Sequence, residues 1–235
     1  MTRAIILAGG KGERMSPITL ETPKILIPIH GRTLLDQSLD LYYKHSVFEI
    51  WLSLGHKWQE ITAKYPFPFI LETSSRGTGG WLKIVKGIPE SLALFTEDFY
   101  VNNGDNLLEI DLKKMMEDHK RNGNVVTIAC VKVPDVRDYG SVIVKQGKIT
   151  RFKEKQNSPK PKQGFINSGF YIFNPKIFDY VPNLEPNSAI SLERDIFPKL
   201  ARANLLGAFP VTGQWFDTGT VERYKTVLEQ WKGGI

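Results

Sequence analysis

Apolar and polar positions follow two rhythms along the first half of the chain. Short apolar runs of strand length stand at residues 3–8, 49–54, 67–71, 99–103 and 125–131, and stretches of helical period lie between them at 34–45, 58–64, 78–86 and 112–121. Strand and helix in alternation predict an α/β chain wound about a mixed, mostly parallel sheet flanked by helices. After Pro134 the rhythm changes. Runs at 141–144 and 148–152 are separated by a few residues that include Gly147, which predicts a hairpin. A strand at 165–173 and helical stretches at 176–180 and 192–203 then add a smaller α/β part to the first sheet. The polar segment 155–163, with two prolines, is the expected mobile loop.

At 235 residues and 41% hydrophobic, the chain is long enough for one generous domain, divided at about 1–133 and 134–235. The formal net charge is +6. The basic residues are scattered among acidic ones, and no nucleic-acid-binding module is recognisable, so a basic pocket for small anions accounts for the excess. Cys130 is the single cysteine and sits inside the apolar run VVTIACVKV, so an inert core thiol in a reducing compartment is expected. The opening AIILA is too short to span a membrane and is followed by glycines and charges. A cytoplasmic protein is expected, with no nucleic-acid or membrane partner; a homodimer is left open.

Candidate chemistry begins directly after the first strand, in LAGGKGERMSPITLETPK. Gly9, Gly10 and Gly12 can expose main-chain N–H groups to a phosphate, and Arg14 and Lys24 add positive charge. The dinucleotide pattern G-x-G-x-x-G fails because Met15 stands where its last glycine belongs, and the Walker pattern fails because no G-K-[ST] closes the loop. An isolated G-G-x-G is as well suited to a plain tight turn; the spacing to Arg14 and to Pro23–Lys24 goes further. It resembles the opening signature of the sugar-nucleotidyltransferase family: a strand, G-G-x-G-[TS]-R-L, P-L-T, then P-K. Glu13 and Met15 depart from that signature, and Glu13 removes a small hydroxyl residue usual near a phosphate.

The resemblance implies a Rossmann-like (GT-A-type) fold and a transferase that joins a nucleoside triphosphate to a sugar 1-phosphate and releases pyrophosphate. It also implies a Mg²⁺ cofactor held by two aspartates, one in a G-D step after a central strand and one in W-x-D-x-G. Asp105 in NNGDN and Asp217 in WFDTG stand in those places and in that order. Hard divalent cations prefer carboxylate oxygen, and open α/β folds bind ligands at the carboxyl edge of the sheet. An aspartate after a strand is otherwise more often a cap, which is the reading for Asp111.

On the nucleotide side the resemblance implies contacts from Leu7, Ala8, Gly9, Gly10, Gly12, Glu72, Gly77 and Thr78, with Glu72 directed at the base. An ionised carboxylate only accepts hydrogen bonds, and guanine offers two donors on its Watson–Crick edge, so Glu72 favours GTP. On the sugar-phosphate side it implies Tyr139, Gly140, Glu154, Lys155, Asn167, Gly169 and Glu193, each of which alone reads as an ordinary hairpin, surface or bulge residue. The segments GTGG, INSG and SLERDIFP look like short guanylyltransferases acting on D-glycero-D-manno-heptose 1-phosphate or mannose 1-phosphate. The opening GKGERM with PITLETPK looks instead like short uridylyltransferases acting on N-acetylmuramic acid 1-phosphate. A regulatory protein that binds nucleotide sugars without catalysis is the reading from another class.

Overall fold

The computed structural model describes residues 2–74, 77–137, 139–153, 162–185 and 188–233. In chain order the strands are β1 (Arg3–Ala8), β2 (Pro28–Ile29), β3 (Arg32–Thr33), β4 (Glu49–Leu54), β5 (Phe69–Leu71), β6 (Phe99–Asn103), β7 (Asn106–Leu108), β8 (Val126–Val133), β9 (Ser141–Lys145), β10 (Lys148–Lys153), β11 (Gly164–Phe173), β12 (Leu206–Val211) and β13 (Trp215–Asp217). The α-helices are α1 (Ile18–Glu21), α2 (Leu34–Lys44), α3 (Trp58–Lys64), α4 (Gly80–Lys86), α5 (Pro89–Leu92), α6 (Leu112–Arg121), α7 (Phe197–Arg202) and α8 (Val221–Gln230). A π-helical turn, Leu192–Ile196, runs directly into α7.

Among the described residues the central sheet has nine strands in the order β5-β4-β1-β6-β11-β8-β12-β10-β9. Pairing is parallel from β5 through β6 and again between β8 and β12. It is antiparallel where β11 lies between β6 and β8, and in the β9–β10 hairpin. The sheet is therefore mixed, as expected, with its longest parallel run, β5-β4-β1-β6, in the half that carries the glycine loop.

Alternation along the strands divides the core between the two faces of the sheet. Ala4, Ile6, Tyr100, Phe170 and Ile172 pack with α2, α3 and α8, whereas Ile5, Val101, Tyr171 and Phe173 pack with α4 and α7. On the second face Trp81 is fully buried, stacked on Phe173 at a centroid distance of 6.2 Å. Burying an aromatic of that size contributes on the order of 2–3 kcal/mol. Cys130 is buried here too, and burial pushes its thiol well up, in keeping with an inert core residue.

Helix starts follow local chemistry. Thr33 and Asp36 form a reciprocal capping box on α2, and Asp111 accepts from Lys114 N at 3.0 Å, the cap expected of it. The helix expected from Thr78 begins at Gly80, because Thr78 bonds elsewhere.

Candidate active site

Four parallel strands end level with one another: Ala8 is in register with Leu54, Leu7 with Asn103, and Leu54 with Leu71. The loops that follow therefore open on one edge, and short main-chain bonds tie them together. Gly104 N donates to Leu7 O at 2.9 Å, Glu72 N to Leu54 O at 2.7 Å and His56 N to Gly9 O at 3.2 Å. Between them lies a cleft of about 300 Å³ lined by Leu7, Ala8, Gly9, Gly10, Lys24, Glu72, Gly77, Thr78, Trp81, Asn103 and Asp105. Seven of the eight residues expected on the nucleotide side are in this lining. Gly12 is not; its carbonyl accepts from Thr19 Oγ1 at 2.9 Å, and a Cβ on it would meet Thr19 and Lys24.

A second cleft of about 560 Å³ is lined by Arg14, Thr78, Asn103, Asp105, Tyr139, Gly140, Asn167, Gly169, Glu193, Trp215, Asp217 and Arg223. Thr78, Asn103 and Asp105 belong to both linings, so the clefts adjoin at the end of β6. Arg14, expected beside the glycines, is in the second lining, and Glu154 and Lys155 lie outside the described residues, as does most of the segment 155–163.

Asp105 and Asp217, far apart in the chain, are brought together by a small ribbon. In β7–β13 Asp217 is in register with Asn106, the neighbour of Asp105. The Asp105 carbonyl accepts from both Thr218 N, at 3.0 Å, and Thr218 Oγ1, at 2.9 Å. Each carboxylate also meets a cation. Lys24 Nζ donates to Asp105 Oδ2 at 2.5 Å, Arg223 Nη1 donates to Asp217 Oδ2, and Gly219 N donates to Asp217 Oδ1 at 2.6 Å. A Cβ on Gly219 would stand 3.4 Å from Arg14 Nη2, which puts that guanidinium beside the same loop.

A family profile described as nucleotidyl transferase matches residues 3–232. The chain belongs to that family. Mannose-1-phosphate guanylyltransferase catalytic subunit beta of Drosophila melanogaster is 31% identical over 235 residues, covering 96% of this chain and 61% of the relative. The UTP–glucose-1-phosphate uridylyltransferase of Synechocystis sp. is 32% identical over 243 residues, covering 94% of this chain and 61% of the relative. The chain thus spans less than two thirds of those curated relatives. The crystal structure of HddC from Yersinia pseudotuberculosis complexed with GMP-PN superposes with a TM-score of 0.77 at 30% identity, over 99% of this chain and 100% of that one.

The wall of the second cleft is built of aromatic and cationic side chains. Tyr139 meets Trp215 edge to face at 5.5 Å, and the Arg223 guanidinium lies 4.5 Å over the Tyr139 ring. Trp215 Nε1 donates to Ser168 O at 3.0 Å, anchoring the wall to a bulge in β11. At that bulge Gly169 has φ +81, and a Cβ there would fall 2.1 Å from Asn106 Nδ2, so only glycine fits. Both ends of the Asn167 amide serve the bulge: Oδ1 accepts from Gly169 N at 2.9 Å and Nδ2 donates to the Tyr171 hydroxyl at 2.9 Å.

Two further residues, one lining a cleft and one buried behind a lining side chain, are not singled out by any motif. Arg223 carries one local signal, its place in the first turn of α8, where Thr220 caps Arg223 N and the side chain turns back toward Asp217. Ser53 carries none. It is fully buried, and its hydroxyl donates to Glu72 Oε1 at 2.6 Å, steadying a carboxylate at the mouth of the first cleft.

Proposed function

We propose that this nucleotidyl transferase converts a nucleoside triphosphate and a sugar 1-phosphate into a nucleotide-activated sugar and pyrophosphate, with GTP and a manno-configured acceptor, heptose or mannose 1-phosphate, as substrates. The observation that carries the reading is the β7–β13 ribbon, which holds Asp105 and Asp217 together where a glycine-lined cleft meets a side-chain-walled one. Support for guanine comes from Glu72, an acceptor fixed by Ser53, and from the names of the fruit-fly relative and the GMP-PN complex. The uridylyltransferase relative at 32% identity keeps UTP, with N-acetylmuramic acid 1-phosphate or another hexose 1-phosphate, as the runner-up. A binding protein without catalysis is disfavoured by the retention of Arg14, Lys24, Asp105 and Asp217.

The donor set suits Mg²⁺. Two aspartates offer hard oxygen ligands, which a hard divalent cation prefers. Asp105 and Asp217 would hold the ion, which when bound offsets phosphate charge. The attacking group is a phosphate monoester with a second pKa of about 6, largely dianionic at neutral pH, so no general base is needed. The work left to side chains is to gather negative charge in line. Lys24, between the glycine loop and Asp105, serves the triphosphate; Arg14, beside Asp217, serves the phosphates where the clefts meet; Lys155 serves the acceptor phosphate.

We assign the chain as a single domain, with a nucleotide part to about residue 133 and an acceptor part beyond it. We place it in the cytoplasm, acting on small molecules; no helix among the described residues is long and apolar enough to cross a membrane. Pyrophosphate release measured with each of four triphosphates against a panel of sugar 1-phosphates at fixed Mg²⁺ tests the proposal. GTP with a manno-configured acceptor is the expected pair. UTP would move the assignment to the runner-up, and no turnover with any pair would defeat it.

A further inference from the structure

The seam between the two clefts carries a hydrogen-bond relay that the transferase reading does not require. The turn 77–79 and the segment 190–192, which leads into the π-helical turn, touch backbone to backbone. Gly77 has φ +73, a Cβ on it would stand 2.5 Å from Ile190 O, and Gly79 N donates to that same carbonyl at 2.8 Å. Across this contact Leu192 N donates to Thr78 Oγ1 at 2.9 Å, and Thr78 Oγ1 donates to Glu193 Oε2 at 2.8 Å. In parallel, Arg194 N donates to Ser191 Oγ at 3.2 Å and Ser191 Oγ donates to Glu193 Oε2 at 2.9 Å. Asp195 Oδ2 closes the turn by accepting from Ser191 N at 2.7 Å.

A hydroxyl has one proton to give. Because a main-chain N–H only donates and an ionised carboxylate only accepts, the direction of both relays is fixed, and both protons point at the same oxygen of Glu193. Oε2 is thereby occupied twice. Oε1 receives no hydrogen bond from the described residues, and Glu193 lines the acceptor cleft. A carboxylate oxygen held this way attracts hydroxyl donors and repels phosphate. The π-helical turn that begins at Leu192 is a form often found at functional sites.

We propose that Thr78 and Ser191 are positioning residues that aim Glu193 Oε1 at one hydroxyl of the acceptor sugar ring. This rests on the acceptor being a sugar 1-phosphate. Thr78, expected among the nucleotide contacts, acts through Glu193 on the other substrate.

The test uses the whole chain with its best nucleotide and acceptor pair. Thr78→Val keeps the shape and removes the hydroxyl; Thr78→Ser keeps the hydroxyl; Ser191→Ala removes the second donor. Thr78→Val and Ser191→Ala should each raise KM for the sugar 1-phosphate about tenfold while KM for the triphosphate stays within about twofold, and Thr78→Ser should stay near wild type. Across a series of monodeoxy acceptors, the one lacking the contacted hydroxyl should lose affinity with wild type and lose no more with Thr78→Val. A parallel rise in both KM values, a Thr78→Ser variant as impaired as Thr78→Val, or additive losses for every deoxy acceptor would overturn the proposal. If Thr78→Val does not melt cooperatively, Ser191→Ala with the deoxy series decides. A wild-type chain that turns over no pair defeats the transferase reading instead; the positioning claim then falls separately if Ser191→Ala binds the same sugar 1-phosphates by calorimetry as tightly as wild type.

Discussion

The two clefts that meet at Asp105 are made in different ways. Beside β1 the lining is largely main chain and small residues, Gly9, Gly10 and Gly77, delivered by loops at the level ends of parallel strands. Beside β13 the lining is side chain, with Tyr139, Trp215, Arg223 and Glu193 brought in from a hairpin approach, a ribbon, a helix start and a π-helical turn. A main-chain cradle suits what all triphosphates share, since peptide N–H groups do not depend on residue identity. A wall of side chains suits what distinguishes one sugar from another. The first cleft departs from that division at Glu72, the side chain proposed to read the base.

Substitutions can break or sharpen this contrast. The largest effect should come where the clefts join: Asp217→Ala should lower kcat by about 10³ or more with cooperative melting retained, and chelation should abolish turnover until Mg²⁺ is restored. Pyrophosphate release with a parallel melting curve reads both, and near-normal activity of the variant would contradict the two-carboxylate assignment. Lys24→Ala should cost about 10²–10³ in kcat with either triphosphate, because it serves the shared phosphates and not the base. Next, Glu72→Gln should shift the ratio of kcat/KM for GTP over UTP by about 10–10² while the acceptor KM holds. An unchanged ratio would remove Glu72 from base recognition. Smallest is Arg223→Lys, which keeps the charge but loses the guanidinium bond to Asp217 and the stack on Tyr139. It should raise the acceptor KM about tenfold and leave the triphosphate KM nearly unchanged, as steady-state kinetics with each substrate varied in turn would reveal.

The same division governs which parts of the molecule are legible in its amino-acid sequence. The strands Arg3–Ala8, Glu49–Leu54 and Phe99–Asn103 and the helices Trp58–Lys64 and Leu112–Arg121 have the bounds that their periodicity predicts, because each is long, amphipathic or apolar, and locally consistent. The strand Leu206–Val211 is absent from that pattern; Gly207 and Pro210 interrupt it, and the strand is held by pairing with Val126–Val133. Asn106–Leu108 and Trp215–Asp217 are equally hidden as strands, because each is three residues long and pairs with a partner more than a hundred positions away. That Gly164–Phe173 inserts antiparallel between two strands of the first half is also out of reach of periodicity. In the candidate site, the glycine loop is legible as one contiguous stretch. Arg223 is not, since an arginine in a first helical turn is ordinary until the aspartate and tyrosine it meets are folded against it.

The double hold of Thr218 on the Asp105 carbonyl bears on synthesis as well as geometry. A ribosome that has finished the first half of the chain has made every glycine of the cradle and one of the two acidic side chains, yet the second is encoded more than a hundred codons later. Fragments that end anywhere before Asp217 lack the second carboxylate and the Thr218 hold on Asp105. A nascent chain therefore lacks the junction of the two clefts until Asp217 and Thr218 have both been made.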